Sequence, residues 1–143
     1  LKHEKFAPAE PGLRAPEWRA VKLLRKSHDP DGLRADLLPI LGSARTGYCI
    51  GGMTELLILL RRHSWHMPLF LRPGATSVSE DERSLARFIL LCAEQQRDEA
   101  MAEAMMMVTP QAIVPLVSAG ERMGLPLLCE DCRKRLRCPL TFQ

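Results

Sequence analysis

Residues 79–96 read SEDERSLARFILLCAEQQ, and this stretch decides the fold class. Ser79 is followed three residues later by Glu82. In that capping-box pattern each side chain satisfies an orphan backbone N–H at a helix start. Leu85, Phe88, Ile89 and Cys92 then fall at i, i+3, i+4 and i+7, one apolar stripe of an amphipathic helix reaching Gln95 or Gln96.

Working outward, the same period recurs on both sides. On the C-terminal side, Arg97–Val108 is rich in helix formers, among them Ala100, Met101, Ala104 and Met105. Thr109-Pro110 reads as an N-cap with a first-turn proline. A further helix is predicted to Met123, with Gly124 as its stop and Pro115 loosening its start. A last short helix is predicted over Leu127–Arg137, stopped by Pro139.

On the N-terminal side, Trp65–Leu71 contains Pro68 and reads as an extended connector. Met53–His63 reads as a helix whose run Leu56-Leu57-Ile58-Leu59-Leu60 leaves no polar face. Such a run predicts burial mid-fold or in a subunit interface, with a short buried strand as the competing reading. Gly42–Gly47 reads as a small-residue loop. Leu33–Leu41 reads as a short helix broken or kinked at Pro39. Asp29-Pro30-Asp31-Gly32 is turn chemistry. Before it, a helix opening at Pro16 sets Trp18, Val21, Leu24 and Arg25 on one face. Arg19, Lys22, Arg25 and Lys26 give that segment a basic surface.

The expectation is an all-α fold. A single small domain over residues 16–143 holds five to seven short helices, preceded by an extended or disordered arm at residues 1–15.

Composition bounds the function. The 143 residues, 46% hydrophobic, suit one core. A formal net charge of +3 is too weak to imply nucleic acid or membrane as a partner by itself. The distribution is less even: 12 Lys/Arg against 7 Asp/Glu in residues 1–72, and 8 against 10 in residues 73–143. A basic N-terminal part that docks on an acidic surface has this pattern, and so does a solvated basic face. No run is long or apolar enough to span a bilayer. Five cysteines, an odd number without a signal-peptide pattern, lead us to expect a reduced cytoplasmic setting.

Several constellations are candidates for chemistry. Cys129-Glu-Asp-Cys132 followed by Cys138-Pro139 has thiolate spacing suited to zinc or an iron–sulfur cluster. Cys138 converges with the other two only if the helix ends early. A fourth ligand must then come from Cys92, from Cys49, or from His63 or His66. The basic run Arg133, Lys134 and Arg135 beside those cysteines is a candidate for nucleic-acid phosphates. Few aromatics are present to stack bases. His63 and His66, at i and i+3 after Arg61 and Arg62, fit cations at a helix C-terminus better than a catalytic pair. The spacing Gly42 to Gly47 has the skeleton of a phosphate loop, but Tyr48 and Cys49 stand where lysine and hydroxyl belong. Met105-Met106-Met107 suits core or interface packing. No hydrolase elbow, zinc-protease or dinucleotide pattern occurs, which disfavours an enzyme.

Two functional expectations follow. The first is a non-catalytic interaction module, a regulatory or accessory subunit that binds a protein partner or a second copy. Arg19, Lys22, Arg25, Lys26, Met105 and Met106 are its candidate contacts. The second is a metal-dependent nucleic-acid-binding regulator. It would use Cys129, Cys132, Cys138 and Cys92 with Arg133, Lys134 and Arg135.

Overall fold

The structure, a computed structural model, describes residues 12–128. Among them are five α-helices: α1 (Ala15–Arg25), α2 (Pro30–His63), α3 (Glu80–Ala93), α4 (Arg97–Met107) and α5 (Ile113–Gly124). Two single 3-10 turns, Pro110–Ala112 and Leu125–Leu127, flank α5. The fold is all-α.

The capping box is present as written in the sequence. The Ser79 hydroxyl accepts from the Glu82 N–H at 3.0 Å, and Glu82 accepts from the Ser79 N–H at 2.9 Å. Leu85, Phe88, Ile89 and Cys92 are all buried on one side of α3. At its far end the chain turns through Gln95, whose φ of 61° lies in the left-handed region. That turn lets α4 fold back along α3, with Arg87 facing Glu103 at 3.9 Å.

The helix α5 is the centre of the core. It packs on α2, α3 and α4, and its largest seam is with α2. Small residues make that seam close. A Cβ added to Gly52 of α2 would lie 2.6 Å from the Met123 amide nitrogen and 2.8 Å from the Ala119 carbonyl oxygen. The two helices run antiparallel, because the other end of α2 also meets the start of α5. There the Thr109 N–H donates to the His63 carbonyl at 3.1 Å. The Thr109 side chain makes no capping bond.

Three expectations are corrected. The break in α2 falls at Gly42 and not at Pro39, since Gly42 has φ 84° and ψ 168°, a conformation foreign to a helix. Pro39 is exposed and the helix passes through it. Gly42–Gly47 is therefore not a loop: the helix resumes directly after Gly42. The run Leu56–Leu60 is not buried all round. Leu56, Leu57 and Leu60 enter the core, while Ile58 and Leu59 are half-buried.

The helix α1 lies antiparallel to α3, held at both ends by ions. Arg14 meets Glu94 at 2.7 Å near one end. At the other, Arg25 and Glu82 form a fully buried pair. Leu13, two residues before α1, is buried as well.

Candidate functional site

Among the candidate basic contacts, Arg25 is corrected most sharply. It belongs to the apolar face of α1 with Trp18, Val21 and Leu24, all of them buried. Its Nε and Nη2 donate to the two Glu82 oxygens at 2.8 and 2.9 Å. Its remaining donors hold the Ala75 carbonyl at 2.8 Å and the Ser77 carbonyl at 2.6 Å. Its guanidinium carbon stands 5.3 Å from the Trp18 ring centroid. Buried and held by these four hydrogen bonds, Arg25 is a structural anchor. Arg19 donates to the Leu127 carbonyl at 2.7 Å, so it ties α1 to the turn after α5. Lys22 is half-buried. Lys26 is exposed and faces Asp36 of α2 at 3.7 Å. The four residues therefore do not form one free basic face.

Glu82 receives four hydrogen bonds. Leu71 N–H adds to those from Arg25 and Ser79, at 2.8 Å. Desolvation alone raises its pKa, but the hydrogen bonds from Arg25, Ser79 and Leu71 and the Arg25 charge outweigh this and lower it. The carboxylate thus fastens the connector Trp65–Leu71 to the start of α3.

That connector carries the feature we take as the candidate site. Its first residue is pinned by Trp65 N–H donating to the Met107 carbonyl at 3.0 Å, beside an isolated bridge between Ser64 and Val108. Its other end is pinned by Leu69 N–H on Asp81 Oδ2 at 2.8 Å and by Ser79 Oγ on the Leu69 carbonyl at 2.7 Å. The segment so held turns Trp65, His66, Met67 and Leu69 outward. Trp65, Met67 and Leu69 are exposed by 60%, 45% and 62%. Phe70 packs against the core. On neighbouring α4, Met105 and Met106 are exposed by 61% and 78%.

Between connector, α3 and α4 lies a cavity of about 170 Å³. Leu60, Leu85, Met106 and Met107 supply its apolar lining, and His66, Asp81 and Glu103 its charged or titratable groups. His66 Nε2 stands 3.6 Å from Asp81 Oδ1. The cavity is smaller than the several hundred Å³ typical of drug-sized ligands. It suits one or two side chains of a larger partner.

Met105 and Met106, candidate contacts from the methionine run, are exposed. Trp65, Met67 and Leu69 were missed, although their spacing of two was a signal. In WHMPLFL every second residue is large and apolar on either side of a proline.

The proposed metal ligands Cys129, Cys132 and Cys138, and the basic Arg133, Lys134 and Arg135, lie outside the described residues. Cys92, their suggested fourth ligand, fills the seam between α3 and α5. A Cβ on Gly120 would meet its Sγ at 2.8 Å. Burial raises its thiol pKa, which disfavours the thiolate a metal needs. Cys49 is buried too, donates to the Met123 carbonyl at 3.3 Å, and is pushed up to about 12 by desolvation. Among the described residues, no three His, Cys, Asp or Glu side chains gather as a metal would require. No helix among them is long and apolar enough to cross a membrane.

Compared with family models, with curated proteins and with solved structures, the chain matches none of them.

Proposed function

We propose that this protein is a non-catalytic helical interaction module, a regulatory or accessory subunit that binds a protein partner. The observation that carries the reading is the exposed apolar surface of Trp65, Met67 and Leu69 beside Met105 and Met106. Exposed leucines or methionines occurring singly need no explanation. Five large apolar side chains exposed on the connector and on the helix it is bonded to are more than that, because clustered exposed apolar surface marks interaction sites. Methionine adds the adaptability of an unbranched, polarisable side chain. The backbone beneath is held by the Glu82 and Asp81 bonds, so the surface is presented pre-formed, which lowers the ordering cost of binding.

The test is co-purification from the native host with the full chain and two double variants. Met67→Ser/Met106→Ser removes apolar area from the proposed surface. Leu38→Ser/Ile40→Ser removes exposed apolar area beside the α2 break instead. The partner is expected to stay with the wild type and the second variant and to be lost from the first. Retention by the first variant, or equal loss from both, would overturn the reading.

A further inference from the structure

Resting on that reading, we infer that the partner's contacting segment is a basic amphipathic one, with large apolar side chains on one face and Lys or Arg beside them. The charge around the cavity carries the argument. Asp81 and Glu103 are the two carboxylates of its lining, and among the described residues no Lys or Arg lines it. Both carboxylates remain part-exposed, at 33% and 35% of their side-chain surface.

Each carboxylate faces one basic side chain, and at a loose distance. Asp81 uses one oxygen on the Leu69 N–H, and its other oxygen faces His66 Nε2 at 3.6 Å. Glu103 has Arg87 only at 3.9 Å, with the Arg87 side chain more than half exposed. The exposed indole of Trp65 adjoins His66 in the chain and adds a ring face for a cation.

A methionine and leucine lining with two carboxylates beside it is the chemistry that receives an amphipathic helix or strand bearing cations at its apolar border. The rest of the molecule argues the other way. The whole chain carries a formal charge of +3, so overall charge repels a basic segment. Recognition of one must come from these two carboxylates.

The probes are three dye-labelled synthetic peptides of about 18 residues, long enough for a helix of several turns. One is an amphipathic Leu–Lys sequence, one its Leu–Glu counterpart, and one the Leu–Lys composition in scrambled order. Fluorescence anisotropy is read against the full chain, its Glu103→Lys and Met106→Ser variants, and Arg34→Glu as a distant surface control. The expected result is saturable binding of the ordered Leu–Lys peptide alone. Glu103→Lys should weaken it about 5- to 10-fold, from one lost attraction and one new repulsion. Met106→Ser should weaken it to a similar degree, and Arg34→Glu should leave it unchanged within about 2-fold.

Equal or tighter binding of the Leu–Glu peptide would overturn the inference. So would an unaltered affinity in Glu103→Lys while Met106→Ser still weakens binding. Either result leaves the apolar docking surface standing. Absence of saturable binding by every peptide also overturns the inference, and the co-purification comparison then decides the docking surface by itself.

Discussion

Glu82 concentrates more of this fold than any other side chain. Its two oxygens receive Arg25, Ser79 and Leu71, joining α1, α3 and the connector at one point. Both partners of the Arg25 pair have no side-chain exposure. Removing one leaves the other charge buried without compensation, a loss of about 3–5 kcal/mol. Glu82→Ala should therefore lower stability by that order, read from urea unfolding at neutral pH. The pH dependence follows from the direction of the shift. The folded state lowers the Glu82 pKa below its ordinary 4.5. The unfolded state thus takes up the proton first as pH falls. The stabilisation is complete well above pH 4.5 and declines as pH drops through that value toward the folded pKa. Unfolding midpoints measured from pH 7 downward should fall in the wild type. Glu82→Gln, already destabilised, should show a shallower decline; an identical slope in both proteins would remove Glu82 as the source.

At the scale of elements, the sequence foretold what depends on local rules. Ser79 and Glu82 announced α3, and the stripe Leu85, Phe88, Ile89, Cys92 announced its buried face, because both signals act within one or two turns. The apolar face of α1 was equally legible in Trp18, Val21 and Leu24. Arg25 was readable as part of that face by spacing and as surface by charge. Only Glu82, 57 positions away, decides between the two. By propensity Pro39 is the stronger helix breaker in α2. The structure breaks three residues later at Gly42, where the backbone reaches a φ of 84° that glycine adopts without a steric penalty. Gly52 has the opposite reason to be glycine: its backbone is helical and its neighbour is too close. Gly52→Ala should force α2 and α5 apart and cost about 1–3 kcal/mol, an overpacking penalty. Thermal unfolding of this variant tests the seam, and a stability equal to wild type would contradict its closeness.

For the whole molecule, the helices bury one continuous core, and several large apolar residues of the connector and α4 stay outside it. The core explains Leu24, Leu56, Phe88, Leu116 and Met123, each without exposure. It does not explain Trp65, Leu69 or Met106. A sequence reveals which residues are apolar, but a surface assembled from a connector and a helix about 40 positions later exists only once the chain is folded. That is why the methionine run stood out in the sequence and its exposed neighbours on the connector did not. The measurement that tests the central claim most directly is photo-crosslinking in the native host. A photoreactive phenylalanine derivative would replace Trp65, Met106 or, as a control, the exposed Thr76. The account predicts adducts of the same mass from positions 65 and 106, carrying one and the same protein, and none from position 76. Adducts from all three positions alike, or none from 65 and 106, would contradict it.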